Sequence, residues 1–179
     1  VSAELSARSG SAIQPPPRPM VPIHLWNADP LHHVGVDLDR HDPLEPLSPV
    51  KLIAPINGIC SAQVVASGAT SIKGMPARIG DLKSPDGDII PAASFRIRYA
   101  AVSERFIPLY DEPIALAQHH PIWITAKVPT DAKPGVYTGT LEVRGPYKWM
   151  PVPVELTVYN WKVGDSKDWK TVINLLQSP

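Results

Sequence analysis

The sequence predicts an all-β fold, an immunoglobulin-like antiparallel β-sandwich of about eight strands. Within residues 121–159, apolar and polar side chains alternate in three successive runs, and this alternation is the period of a strand with one buried face. Turn residues separate the three runs. The 22 prolines are scattered through the 179 residues, a distribution that suits short strands and argues against long helices.

The three runs cover residues 122–128, 137–144 and 152–158. The first run places its isoleucines on one face and Trp123 on the other, because successive side chains of a strand point in opposite directions. The pair Pro134-Gly135 lies between the first and second runs, where proline fixes φ and glycine tolerates positive φ. The sequence therefore predicts three strands joined by short turns.

A tyrosine directly after the first of these turns has the position of a tyrosine corner. In that arrangement the hydroxyl of a tyrosine just after a turn between sheets forms a hydrogen bond with an upstream backbone group. Tyr137 follows Pro134-Gly135 at the required distance, and Gly139 stands where an antibody domain would carry a cysteine. We predict that Tyr137 is a buried structural corner and that the disulfide of antibody domains is absent.

Five further strands are expected earlier in the chain, at Val21–Trp26, Val50–Ala54, Gly58–Ala66, Ile72–Leu82 and Ala93–Ala100. Proline within the first of them favours an edge strand. Asn57-Gly58 is a strong turn signal between the second and third. Gly74 and Pro76 within the fourth favour a bulge or an edge.

Three segments with different sequence character divide the chain. Residues 1–20 form an extended, proline-rich lead-in without a periodic apolar face. Residues 21–159 form the sandwich. Residues 160–179 start as a polar linker and end in an apolar run, Trp169–Leu176, which we expect to be the first segment of a following domain. A short terminal helix capped by Asp165 or Ser166 is the alternative for this tail.

The charge balance and the cysteine count exclude several classes of partner. The chain has 17 basic and 17 acidic residues and no long run of either sign, so nucleic acid and anionic membranes are not expected partners. No apolar stretch approaches the ~20 residues of a membrane span. The one cysteine, Cys60, lies in an alternating run and is expected to be a small buried apolar side chain that gives no indication of the compartment.

The candidate catalytic and metal-binding residues of this chain fit structural roles better than chemical ones. Segment His32–Asp42 holds histidines and aspartates, but its spacing matches no zinc or calcium motif, so a solvated strand face is favoured. His119 and His120 are adjacent on a strand and point to opposite faces, so they cannot share a metal. Asp111 and Glu112 are expected in solvent. We predict no cofactor, no metal site and no catalytic residue in this chain.

Two tryptophans are the candidate contact residues. Trp123 lies on the face opposite the isoleucines, and Trp149 lies at the turn before the last strand. Exposed aromatic rings hold sugar rings in carbohydrate-binding sandwiches, and they also cover contacts with neighbouring domains. We favour the domain contact over the glycan contact for both residues.

Two segments of the chain, Pro121–Thr140 and Val152–Tyr159, resemble the amino-terminal β-sandwich of secreted proteins similar to glycoside hydrolase family 123. In that family the sandwich precedes a (β/α)8 catalytic barrel, and the resemblance extends to Ile173–Pro179, which looks like the first barrel strand. The acidic dyad of the family lies in the barrel, so no catalytic residue is carried onto this chain.

The resemblance implies a function, a partner and a location. The chain is expected to be a non-catalytic accessory domain that packs against the catalytic barrel of the same polypeptide, in a secreted, periplasmic or cell-surface protein. Two alternatives remain open. One is a stand-alone carbohydrate-binding module, for which glycan is the partner, and the other is a surface adhesion or assembly domain.

Overall fold

The computed structural model describes residues 23–31, 34, 46–101, 108–114 and 116–168. The described residues form eleven strands, which in chain order are β1 (Ile23–Ala28), β2 (Val50–Ile56), β3 (Ile59–Lys73), β4 (Ala77–Ile79), β5 (Leu82–Lys83), β6 (Ile89–Ile90), β7 (Phe95–Ala100), β8 (Leu109–Tyr110), β9 (Leu116–Lys127), β10 (Gly135–Arg144) and β11 (Trp149–Lys162). Two short 3-10 turns, Ala92–Ser94 and Ser166–Asp168, complete the secondary structure of this part of the chain.

The strands form two sheets. The first sheet has the order β1-β3-β9-β7-β8. The second sheet has the order β2-β11-β10-β5-β6, with β4 also paired to β10. The predicted all-β sandwich is confirmed.

One strand pair departs from the antiparallel arrangement that the sequence predicts. Strand β2 pairs with β11 in parallel, with Val50 opposite Val154 and Ala54 opposite Val158. Strands β1 and β2 follow each other in the chain but lie in different sheets, so they do not form a hairpin. The last strand of the sandwich therefore lies beside β2, and its C-terminal end lies beside the turn that follows β2.

The single strand predicted over Ile72–Leu82 is wrong. Strand β3 ends at Lys73, and the chain then crosses to the second sheet, where it forms β4 and β5. A Cβ atom on Gly74 would lie 2.3 Å from the Ile114 carbonyl oxygen, so glycine allows the close approach at which the chain leaves the first sheet. Pro76 follows and lacks the amide hydrogen that a ladder requires.

The core lies between the inner faces of the two sheets. Each long strand contributes alternate residues, and the largest fully buried members include Tyr137, Leu52, Leu82, Ile90, Ile122, Ile124, Leu141 and Leu156. Burying one such side chain stabilises the fold by roughly 1.5–3 kcal/mol. This single core accounts for the alternation that the sequence shows between residues 121 and 159.

The outer face of the first sheet is partly covered by the chain itself. Gln63 and Val65 point away from the core, yet both are buried. Val65 packs in a small cluster with Trp26 and Val34, and the Gln63 side chain donates a hydrogen bond to the Asp29 carbonyl oxygen at 3.2 Å. Asp29 and Val34, which follow β1, therefore cover part of this face.

Several sequence predictions fall outside the described residues. These are the lead-in 1–20, most of segment 32–42 and the tail 169–179. The last strand continues to Lys162, three residues beyond Tyr159, where the sequence predicts that the sandwich ends. The described residues contain no helix with the length and apolarity needed to cross a membrane.

Candidate functional site

Tyr137 lies on β10 with its ring buried in the core. Its hydroxyl donates a hydrogen bond to the Lys133 carbonyl oxygen, four residues upstream, at 2.8 Å. Burial raises the pKa of the Tyr137 hydroxyl above its usual value, so the group keeps the proton that it donates. This contact fixes the turn between β9 and β10.

Trp123 lies on the outer face of the first sheet, half-buried in the centre of β9. Its cross-strand neighbours are Gln63 on β3 and Arg98 on β7. Within the described part of the chain, the indole Nε1 of Trp123 and the Nε of Arg98 are buried without a hydrogen-bond partner. The ring is thus partly enclosed between neighbours, and this arrangement differs from an aromatic platform that stands free in solvent.

Trp149 begins β11 and carries two arginines on its ring. The guanidinium carbon of Arg78 lies 4.2 Å from the ring centroid, and that of Arg144 lies at 5.5 Å. Arg78 is held in turn by Glu142, whose carboxylate accepts a hydrogen bond from the Arg78 Nε at 2.7 Å. The indole face is therefore engaged in cation–π contacts, which compete with a sugar ring for the same surface.

The two tryptophans do not form one site. Trp123 belongs to the first sheet and Trp149 to the second. The candidate contact residues predicted from the sequence are thus separated by the sandwich, and no ligand could contact both on one flat surface.

The two adjacent histidines point to opposite faces, as their sequence positions require. His119 Nδ1 lies 2.7 Å from the Ser67 hydroxyl, which accepts a hydrogen bond from the indole of Trp26. His120 Nε2 lies 2.7 Å from the Ile72 carbonyl oxygen. Both histidines therefore bind the irregular end of β3. Among the described residues, no group of three metal-ligating side chains comes together.

Asp111 and Glu112 lie at the surface. Asp111 accepts a hydrogen bond from the Arg96 guanidinium at 2.9 Å, and both side chains of this pair are largely exposed. Glu112 is exposed as well. An exposed ion pair of this kind contributes about 0–1 kcal/mol to stability.

A set of polar contacts lies directly after the end of β11. The Val163 amide donates to the Ile56 carbonyl oxygen at 3.0 Å. The Asn57 side-chain amide donates to the Val163 carbonyl oxygen at 3.0 Å and to an Asp165 carboxylate oxygen at 3.4 Å. We call these four residues, Ile56, Asn57, Val163 and Asp165, the exit clamp. They fix the departing chain against the turn between β2 and β3.

The turn that carries the exit clamp is itself held by both sheets. Asn57 has φ of 60°, a left-handed conformation that asparagine tolerates better than most residues. The Gly58 amide donates to the Pro55 carbonyl oxygen at 3.0 Å, and the Val128 amide donates to the Gly58 carbonyl oxygen at 2.9 Å. The clamp therefore connects the departing chain to a rigid turn. The exit clamp contains no nucleophile–base pair. Its role is structural, because it fixes the position of the chain after β11.

Sequence reasoning identified the turn at Asn57-Gly58 and missed the clamp. Asn57 and Val163 are 106 residues apart in sequence, so no local pattern links them. The signal that could have found it is the asparagine itself, since glycine would satisfy the left-handed position without offering a side-chain amide.

Residues 110–145 match a protein family described as the glycoside hydrolase 123 N-terminal domain. This region overlaps the segment that carries the resemblance in the sequence. No curated protein sequence matches the chain.

Among solved structures, the chain is similar to a family 123 glycoside hydrolase from Clostridium perfringens that was studied for glycolipid glycan hydrolysis. The TM-score is 0.66 and the identity is 17%, over 78% of this chain and 28% of that enzyme. At this identity the likeness shows the fold, and the chain spans less than a third of the enzyme's length. The chain is therefore similar, in the matched sequence and in fold, to the amino-terminal β-sandwich domain of glycoside hydrolase family 123 proteins.

Proposed function

We propose that this chain is a non-catalytic accessory domain of a glycoside-hydrolase-like protein, and that it holds a catalytic domain of the same polypeptide in a fixed orientation. The observation that carries this proposal is the exit clamp. The likeness to a much longer enzyme supports it, because 28% coverage leaves most of that enzyme outside the matched sandwich.

The exit clamp bears on orientation because linkers differ in stiffness. A flexible polar linker lets two domains move independently, whereas a departing chain bound at Val163 and Asp165 has few free backbone angles near the sandwich. An accessory domain that positions its neighbour needs such a fixed exit. A domain that only tethers its neighbour does not.

A stand-alone carbohydrate-binding module is the main rival. Such a module needs an aromatic ring with a free face, and at the two predicted contact residues Arg78 stacks on Trp149 while Trp123 is half-buried beside Arg98. These contacts argue against glycan binding at Trp123 and Trp149. Titration of galactosamine-containing glycans, followed by tryptophan fluorescence, is the test, and saturable quenching would favour the carbohydrate-binding module.

The exit clamp can be tested in the polypeptide that contains both the sandwich and the catalytic domain. Asn57→Gly keeps the left-handed backbone conformation and removes both side-chain hydrogen bonds to the departing chain. We expect faster proteolysis around residues 163–168 and a larger radius of gyration in small-angle scattering. Asn27→Ala is the matched control, because it removes the Asn27 side-chain amide bonds to the Ser48 and Pro49 carbonyls far along the chain from the exit.

The outcome of this comparison decides the proposal. If Asn57→Gly leaves both proteolysis and scattering unchanged, the clamp does not position a neighbouring domain. If Asn27→Ala has the same effect as Asn57→Gly, the change reflects general loosening of the sandwich. Only a selective effect of Asn57→Gly supports the accessory role.

The proposal also includes a lack of catalysis by this chain and a location outside the cytoplasm. We expect no hydrolysis of an aryl N-acetyl-β-galactosaminide by residues 1–179, because Asp111 and Glu112 are exposed and Asp111 is paired with an arginine. Hydrolysis that disappeared in an Asp111→Asn, Glu112→Gln double variant would contradict this. Fractionation of the source cells tests the secreted, periplasmic or cell-surface location.

A further inference from the structure

An exposed apolar area lies on the outer face of the second sheet, at the end where the chain departs. Ile53, Val136, Tyr159 and Trp161 are 55%, 42%, 50% and 58% exposed. We call these four residues the exit patch. Large apolar side chains that stand this far out of the surface without cover are unusual when they are contiguous, and they mark contact surfaces.

Strand register places Ile53, Val136 and Tyr159 near one another on one face. Ile53 on β2 lies opposite Thr157 on β11, and Thr157 lies opposite Val136 on β10, so a threonine stands between the two aliphatic side chains. Tyr159 lies two residues further along the same face of β11, opposite Pro55. Trp161 follows where the register shifts between Tyr159 and Lys162.

The next row on the same face does not continue the exit patch. It runs from Lys51 through Glu155 and Thr138 to Lys83, which are charged or polar, and it reaches the exposed Ile89 only at the far edge of the sheet. Further along the face, Glu142 binds Arg78. The outer face of the first sheet differs too, because its central residue Val65 is already buried. The exit patch is therefore a local feature, and general surface composition does not explain it.

We infer that the exit patch is the docking surface for the domain that follows in the same polypeptide, an inference that rests on the proposed function. The position of the exit supports this occupant. Tyr159 and Trp161 lie within four residues before Val163, where the exit clamp fixes the chain. A domain attached just after the clamp is held near the exit patch at high effective concentration, so a modest apolar contact suffices to dock it.

The chemistry of the exit patch defines the partner surface. One tryptophan, one tyrosine and two aliphatic side chains form a mostly apolar centre, and Lys51 and Glu155 stand at its edge. Interfaces that persist have an apolar, aromatic centre with a polar rim. The surface that docks here is apolar, and its own rim is polar on the side of Lys51 and Glu155.

The test replaces three members of the exit patch by serine, in an Ile53→Ser, Tyr159→Ser, Trp161→Ser variant. The matched control is Ile89→Ser, Tyr110→Ser, Leu116→Ser, at residues that are 54%, 49% and 72% exposed and lie away from the exit. Thermal unfolding is measured for both variants and wild type, once in residues 1–179 and once in the longer polypeptide. The contacts of Asn57 stay intact throughout.

Docking predicts a specific pattern. The wild-type sandwich unfolds at a higher temperature in the longer polypeptide than in residues 1–179, because a bound neighbour stabilises the folded state. The exit-patch variant loses this increase and the control variant keeps it. In residues 1–179, both variants unfold within about 3 °C of wild type, because exposed substitutions change stability little.

Each of the remaining outcomes contradicts either the proposed function or the docking inference. If the wild-type sandwich unfolds at the same temperature in both polypeptides, the proposed function itself fails. If the increase is present but survives in the exit-patch variant, the accessory role stands and this face is the wrong one. If residues 1–179 form a dimer that the exit-patch variant disperses, the occupant is a second copy and the inference is overturned.

Discussion

At the scale of single residues, the corner tyrosine was predictable because its partner is local. The Tyr137 hydroxyl donates a hydrogen bond to a backbone carbonyl only four residues upstream, and the intervening Pro134-Gly135 is a local turn signal. The arginines on Trp149 were not predictable in the same way. Arg78 comes from β4, which pairs with β10 only after the chain has crossed between sheets. The alternation of apolar and polar residues predicts on which face of the sheet a side chain lies. It does not predict which side chains of other strands lie beside it.

Tyr137→Phe is expected to lower the free energy of unfolding by about 1 kcal/mol or more. The substitution keeps the ring in the core and leaves the Lys133 carbonyl oxygen without its hydroxyl donor. Urea denaturation measures the change. An unchanged midpoint, with an unchanged slope, would show that the hydroxyl contributes nothing to the corner.

Cys60 provides a second test at the residue scale. It lies on β3, facing the core, and burial raises the pKa of its thiol from the ordinary value of 9.0 to about 11. The folded chain therefore keeps the thiol proton over a range in which the unfolded chain loses it. We expect the thiol to react slowly with iodoacetamide at pH 8 in the folded chain and quickly in denaturant, because the thiolate is the nucleophile.

The same shift gives a pH dependence of stability. A raised pKa in the folded state contributes stability below pH 9 that is lost progressively as the pH rises from about 9 toward about 11. In urea denaturation at pH 8 and pH 10.5, wild type should lose more stability than Cys60→Ala, which has no thiol to ionise. Equal losses of stability in the two proteins would show that ionisation of Cys60 does not cause the pH dependence.

At the scale of elements, the turn between β2 and β3 is constrained more tightly than its sequence suggests. Asn57-Gly58 reads as an ordinary hairpin turn, but β2 and β3 lie in different sheets. A Cβ atom on Gly58 would lie 2.7 Å from two carbon atoms of the Pro55 ring. Glycine is thus required here by a close approach, in addition to any preference for turn geometry.

Gly58→Ala is accordingly expected to destabilise the chain by about 1–3 kcal/mol, since the Pro55 ring and the turn must shift to admit the methyl group. Gly80→Ala is the matched control, because a Cβ atom there would meet nothing within 4 Å. Urea midpoints of the two variants give the comparison. If Gly58→Ala were as stable as Gly80→Ala, the turn would be freer than the structure indicates.

At the scale of the whole molecule, the sequence predicted the two packed layers and missed how the two outer faces differ. Alternation between residues 121 and 159 is enough to predict buried inner faces, and one core fills the space between them. The cover over Val65 and the open exit patch depend on long-range neighbours. Ile53, Val136 and Tyr159 come from three strands whose order only the topology determines. The candidate site was predicted less well than the fold for this reason.

The last prediction concerns the boundary of the folded unit at its C-terminal end. Strand β11 runs to Lys162, and the exit clamp then holds Val163 and Asp165. Removing Asp168–Pro179 keeps all of these contacts and should lower the thermal midpoint by less than about 8 °C. Removing residues 163–179 also deletes the clamp, so this chain should unfold at a lower temperature than the first truncation.

The two truncations test whether the tail belongs to the sandwich and whether the exit clamp adds stability to it. Calorimetry of both proteins beside residues 1–179 shows where stability is lost. A large loss on removal of Asp168–Pro179 alone would place the tail within the sandwich and the boundary further along the chain. Equal midpoints for both truncations would show that the exit clamp adds no stability to the sandwich by itself. The hydrogen bonds at Val163 argue against that result, because each one satisfies a backbone group beside a half-buried asparagine.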